Sequence, residues 1–286
     1  MNSTNKALIV FPSLYLIVVL LLTCLSSAAQ QSDSLAVKEK TEITMKNGDK
    51  YEGIVISEDS DFIVLQTENG EVKLIKANIL QVERYSKTGK FTFDNPHYTR
   101  YFFGPSAMPL GKGDGYYQNL MLTTNFFNVG ITNNLSLGGG FEFISLFLGK
   151  PIWFFTPKAG FEVGKNMYAG GGAFVAGMMD EGSVALLYGA GTFGTKDNSI
   201  SLGVGYGLAQ GELTQTPAIM LSGVARTSRK TSLLSENYLI PAAGETFYLG
   251  IHGIRLMTRE SAFDLGGIVI PELPFPIPFV GFATMF

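Results

Sequence analysis

Over most of its length the chain alternates between apolar residues and polar residues or glycine, in blocks of about ten to fourteen. In SISLGVGYGLA, Ile200, Leu202, Val204, Tyr206 and Leu208 fall on one face, and Ser199, Ser201, Gly203, Gly205 and Gly207 on the other. In NLSLGGGFEFISLF, Leu135, Leu137, Phe141, Phe143 and Phe147 oppose Asn134, Ser136, Gly138, Gly140 and Glu142. In PIWFFTPKAGFEVGK, Trp153, Phe155, Pro157, Phe161 and Val163 oppose Thr156, Lys158, Gly160 and Glu162. A period of two is that of a strand, and no stretch of this region repeats at the helical period. The pattern predicts strands near 97–104, 116–129, 134–147, 152–163, 167–179, 183–193, 198–209, 213–225, 231–240, 245–257, 261–270 and 277–286. That makes twelve, with ten as the alternative, because the first segment and PELPFPIP carry the weakest pattern.

A soluble sandwich would use shorter strands and turn its polar face outward. Long strands with one broad apolar and aromatic face suit an antiparallel up-and-down barrel that crosses a bilayer, lipid on that face and lumen on the other. The turns fit such a meander. Basic ones hold Lys165, Lys196, Arg229-Lys230 and Arg259; acidic ones, between them, hold Asp180-Glu181, Glu212, Glu245 and Glu272. Every second turn shares a rim, so acids gather on one rim and bases on the other. The connection GPSAMPLGKGDG is expected on the outer side.

Glycine density produces one misleading motif. Gly189-Ala-Gly191-Thr-Phe-Gly194 has the spacing of a dinucleotide fingerprint, but that motif needs a helix directly after it to hold the pyrophosphate. Here another alternating strand follows. Gly189 and Gly191 share a face with Ala185, as in the glycine rows of neighbouring strands.

Composition divides the chain. Residues 30–96 hold 21 charged residues in 67, whereas 97–286 hold 23 in 190; of the 34 glycines, four fall in the first segment and 30 in the second. Two domains follow. The charged segment reads as strands near 41–46, 50–57, 61–67, 71–76 and 80–85, separated by Asn47-Gly48, Asp59-Ser60 and Asn69-Gly70, with KANI as a turn before the last. Gly53 is expected at a bend in the second strand. Five short strands over residues 41–86 resemble a small SH3-like or Sm-like β-barrel, a class whose members often bind RNA or peptides. An acidic, exported version is expected to be an adaptor or packing module instead.

Residues 1–29 have the layout of a secretory signal peptide: Lys6, an apolar run from Ala7 to Leu25, then small residues with Ser27 and Ala29 before the cut. An uncleaved anchor is the alternative, since the run is long enough to span a bilayer. Segments 30–40 and 87–96 read as linkers. The only cysteine, Cys24, lies before that cut, so the mature chain has no disulfide, cysteine metal site or thiol nucleophile. Its net charge of about −4 gives no reason to expect nucleic acid.

Catalytic chemistry finds little to work with. The two histidines read His97-Tyr-Thr99 and His252-Gly-Ile254, not the His-x-Ser pairing of outer-membrane lipid hydrolases. No cluster has metal-ligand spacing, so no cofactor or metal is expected. The candidate lumen charges are Glu142, Lys158, Glu162 and Asp264. With a short turn near 149, Glu142 and Lys158 would sit diagonally across a hairpin and pair, either to compensate buried charge or to select a solute.

The signal peptide, the barrel-length alternation and the final VGFATMF resemble Gram-negative outer-membrane β-barrel proteins over residues 97–286. Such proteins commonly end in an aromatic residue with apolar residues at alternate positions, read by the barrel-assembly machinery. Val280, Phe282 and Phe286 match that ending, and Thr284 departs from it. The resemblance implies an outer-membrane location among lipid, with residues 41–86 in the periplasm facing a protein partner. The expected function is a non-enzymatic passive pore for small solutes or a structural scaffold. The alternatives are an outer-membrane lipid-modifying hydrolase and a secreted soluble β-sandwich binding protein.

Overall fold

The computed structural model describes residues 40–84, 91, 93–179, 181–242 and 245–286. The expected signal peptide, most of the first linker and Asp180 lie outside them. Two compact units divide between Asn95 and Pro96.

The smaller unit is a five-stranded antiparallel sheet: β1 Lys40–Met45, β2 Lys50–Glu58, β3 Phe62–Thr67, β4 Gly70–Ile75 and β5 Ile79–Arg84, in the order β4-β3-β2-β1-β5. Strand positions follow the sequence pattern closely, and the expected turn at KANI is a single 3-10 turn, Lys76–Asn78. Ile43, Ile63, Leu65 and Leu74 form its core. Gly53 faces the β3 backbone so tightly that an added Cβ would lie 2.4 Å from the Gln66 carbonyl oxygen. The sheet irregularity follows directly, between Val55 and Ser57. At the β2–β3 turn, the Asp59 carboxylate accepts from the backbone N–H groups of Asp61 and Phe62. Those bonds hold its carboxyl below the usual carboxylate range.

The larger unit is all-β and closed. Its strands are β6 Gly115–Leu120, β7 Thr124–Gly130, β8 Leu135–Glu142, β9 Ile152–Phe155, β10 Lys158–Gly164, β11 Met167–Met178, β12 Gly182–Gly194, β13 Asn198–Ala209, β14 Glu212–Leu213, β15 Ala218–Arg226, β16 Thr231–Ala242, β17 Glu245–Met257, β18 Ser261–Val269 and β19 Ile277–Met285. Successive strands pair antiparallel, and β19 returns to β6. β9 and β10 are two halves of one wall strand, both lying between β8 and β11. They part at Pro157, which withholds a ladder donor. β14 is a two-residue extension beside β13. The wall therefore has twelve strands.

Twelve is reached differently from the expectation. The segment 97–104 is no strand; it carries only an isolated bridge between Arg100 and Pro105. The block 116–129 is instead two strands, folded at Met121 and Leu122, both at positive φ. The block 134–147 ends at Glu142, and Phe143–Phe147 forms one helical turn, α1. Alternation cannot show a tight turn whose residues are themselves apolar.

On β13, Leu202, Val204 and Tyr206 are exposed while Ser199, Ser201, Gly203 and Gly205 are buried. Trp153, Phe155, Phe161 and Val163 likewise face out. β12 runs straight through the GxGxxG spacing and pairs with β13, with no helix after it. Gly189 and Gly191 are exposed on the outer wall beside Leu187 and Phe193, whereas the lumen row of this strand is Leu186, Tyr188, Ala190 and Thr192. The meander puts the turns with Lys165, Lys196, Arg229-Lys230 and Arg259 at one rim. Glu181, Glu212, Glu245 and Glu272 lie at the other, with α1.

Candidate functional site

The lumen of this barrel is occupied by its own chain. Segment 96–114 enters at the basic rim, where His97 Nε2 lies 3.1 Å from the Glu260 carbonyl oxygen. It reaches up the lumen to Phe102–Gly104, folds back at the Arg100–Pro105 bridge, and leaves beside Gly130 to begin β6. Tyr101, Phe102, Ala107, Met108 and Leu110 are buried. GPSAMPLGKGDG was expected as a connection on the outer side. Its first half lies within, because its apolar residues complete a core that a lumen lined by glycine and serine cannot form alone.

Two ionic anchors hold this plug. Asp264 on β18 accepts from Arg255 Nε at 2.7 Å and Nη2 at 3.0 Å, and from Arg100 Nη1 of the plug at 3.0 Å. All three side chains are essentially unexposed. Arg255 Nη2 also donates to the Tyr101 carbonyl at 2.6 Å. Glu236 on β16 is the second anchor. Its carboxylate accepts from the backbone N–H groups of Phe102 (2.8 Å), Phe103 (3.1 Å) and Gly104 (2.8 Å), and from the Tyr238 hydroxyl. A carboxylate buried in a barrel needs several donors to offset its lost hydration, and here the plug backbone supplies three. Thr192 adds a bond to the Ala107 N–H at 2.7 Å.

The four expected lumen charges are scattered. Asp264 lies at the centre of the first anchor. Lys158 faces the lumen, where its Nζ donates to the carbonyls of Thr99 at 3.0 Å and Met108 at 2.8 Å. Its cross-strand neighbours are Ser136 and Gly172, so the expected pairing with Glu142 does not occur. Glu142 sits at the rim, half-buried, with its carboxylate accepting from Ile144 N and Ser145 N at the start of α1. The missing short turn near 149 is the reason: α1 and residues 148–151 fill that connection. Glu162 is exposed near the basic rim opposite Tyr168. Arg100, Arg255 and Glu236 were not singled out, because isolated charges in an alternating strand carry no signal until the plug supplies their partners.

His252 lies on the outer wall and meets Ser235 across the β16–β17 ladder, with Nδ1 3.0 Å from the serine Oγ. The pairing comes from register, so a search along single strands misses it. Asn237 donates to the same Oγ at 3.0 Å, and Tyr248 donates to Asn237 at 2.8 Å. Ser235 is 0% exposed, its hydroxyl covered by the neighbouring side chains. Among the described residues no group of His, Cys, Asp or Glu could hold a metal ion.

The outer wall decides the class. Large apolar side chains are exposed on every long strand, a belt that would drive aggregation in water and that hydrocarbon suits. The barrel resembles outer-membrane β-barrels at the level of class. Similar solved structures include the KdgM porin, with TM-score 0.44 and 7% identity over 60% of this chain and 96% of that one. A loop L8 deletion mutant of OmpT, an outer membrane protein of Vibrio cholerae, gives TM-score 0.34 and 12% identity over 87% and 96%. Salmonella typhi OmpF in complex with daunomycin gives 0.31 and 6% over 87% and 95%. At such TM-scores these likenesses say nothing about what this barrel carries. No family model and no curated protein sequence matches the chain.

Proposed function

We propose that the protein is an integral outer-membrane barrel without enzymatic activity, whose lumen is closed by residues 96–114, making it a plugged scaffold and not an open passive pore. The plug's attachment to Glu236 and to the Arg100–Asp264–Arg255 cluster carries this reading. Fixed, desolvated bonds of this kind hold a resting position; a mobile constriction loop would leave its charges hydrated. The basic rim has short turns and both ends of the barrel wall, and we assign it to the periplasmic side. Residues 41–86 then stand in the periplasm as an SH3-like adaptor for a protein partner. Val280 and Phe282 share the outer face of β19, Phe286 follows its last residue, and the three would be read there by the assembly machinery.

Purified full-length protein in a planar bilayer is expected to show no steady conductance, whereas a variant lacking residues 98–110 shows discrete steps. Steady conductance from the wild type overturns the closed lumen.

A further inference from the structure

Between the plug and the wall lies a cavity of about 140 Å³. Its apolar side is formed by Phe103, Phe126, Phe174, Leu186 and Met220. The rings of Phe103 and Phe174 meet edge to face at 5.2 Å between centroids, and Phe126 lies 6.2 Å from Phe103. A cavity of roughly 150 Å³ lined by apolar residues accepts a single benzene ring. Edge and face contacts with three phenylalanines suit an aromatic guest.

The polar side is donor-rich. Lys158 lines it, and no carboxylate among the described residues lies within ion-pair distance of its ammonium. Tyr188 and Asn128 line it too, and neither the Tyr188 hydroxyl nor the Asn128 Nδ2 donates to another described residue. Lys158 and Tyr188 converge. Gly172 is the cross-strand partner of both, and the Tyr188 hydroxyl leans over it, 2.8 Å from where a Cβ would stand. Charge points the same way. Arg100 and Arg255 share the one carboxylate of Asp264, and Lys158 donates only to two carbonyls. A cation without a counter-charge in a low-dielectric lumen is costly, and an anion beside it removes the cost.

We propose that this cavity is a binding site for a small aromatic monocarboxylate, about the size of benzoate. Its ring lies among Phe103, Phe126 and Phe174, and its carboxylate is held by Lys158 with Tyr188 and Asn128. The site rests on the plugged lumen, since Phe103 and the carbonyls that orient Lys158 belong to the plug.

The test uses full-length protein in detergent micelles, followed by 19F NMR with 4-fluorobenzoate, its neutral analogue 4-fluorobenzyl alcohol, and acetate as a charge without a ring. Fluorobenzoate should bind saturably at one site and resist competition by equimolar acetate. Lys158→Met should weaken fluorobenzoate about tenfold or more, the loss of one charge-assisted contact, and change the alcohol less than threefold. Tyr188→Phe should discriminate in the same sense if Lys158→Met fails to assemble. Gly203→Leu, which fills the space beside the flexible end of Met220, should abolish both. Probe signal that follows detergent instead of protein, equal losses for both probes, or binding retained in Gly203→Leu overturns the site. A wild type silent in bilayers that binds no probe defeats the site alone, whereas a conducting wild type defeats the closed lumen.

Discussion

Asp264 shows what one residue does in this lumen. It neutralises two guanidinium groups, one from the wall and one from the plug, at distances of 2.7–3.0 Å. Removing a single member of a buried ionic group costs about 3–5 kcal/mol, because the remaining charges stay desolvated. Asp264→Asn should therefore destabilise the barrel by that order, read as a shifted urea midpoint for refolding into detergent. A double change of Asp264→Leu with Arg255→Met should cost less, since only Arg100 then lacks its carboxylate. Equal losses would show that the cluster acts through packing and not charge. The residue was legible in sequence as an isolated lumen charge. Its partners were not: Arg255 lies opposite it in the β17–β18 register, and Arg100 comes from 164 residues upstream.

At the scale of elements, wall and plug fit through glycine. A Cβ at Gly160 on β10 would lie 2.3 Å from the Ala107 carbonyl oxygen of the plug, a distance no packing tolerates. Gly160→Val should therefore displace the plug and leave the β10–β11 ladder intact, valine being well suited to a strand. With no thiol expected in the mature chain, Ser106→Cys provides a reporter, since Ser106 is 1% exposed. Maleimide labelling of that cysteine in the folded barrel should be slow alone and rise at least tenfold when Gly160→Val is added. Unchanged labelling would mean that the plug shifts without leaving. Glycines on the inner face were readable as a row, but not as seats for another segment.

The larger unit presents an apolar belt outward and a filled lumen inward, so the protein should behave as a membrane barrel. Unboiled protein in detergent is expected to migrate differently from a boiled sample, and the protein should fractionate with outer membranes. Recovery as a soluble periplasmic protein without detergent would favour a sandwich. The closed ladder from β6 round to β19 is the physical basis of resistance to unboiled detergent, because no strand edge remains from which unfolding can begin.

Local alternation determined most of the wall strands, their facing and the parity of the turns, because side-chain direction in a strand depends only on odd or even position. In the same way, paired turn signals determined the five strands of the small sheet almost residue by residue. Tertiary structure alone decided what fills the lumen. The segment 97–104 reads as a first strand on a weak pattern, and only closure of the wall around it shows it to be part of a plug. That closure also separated Glu142 from Lys158, joined Arg100 to Asp264, and brought Ser235 to His252. Each of these depends on register between distant segments, a quantity that backbone hydrogen bonds and packing fix only once the strands have met.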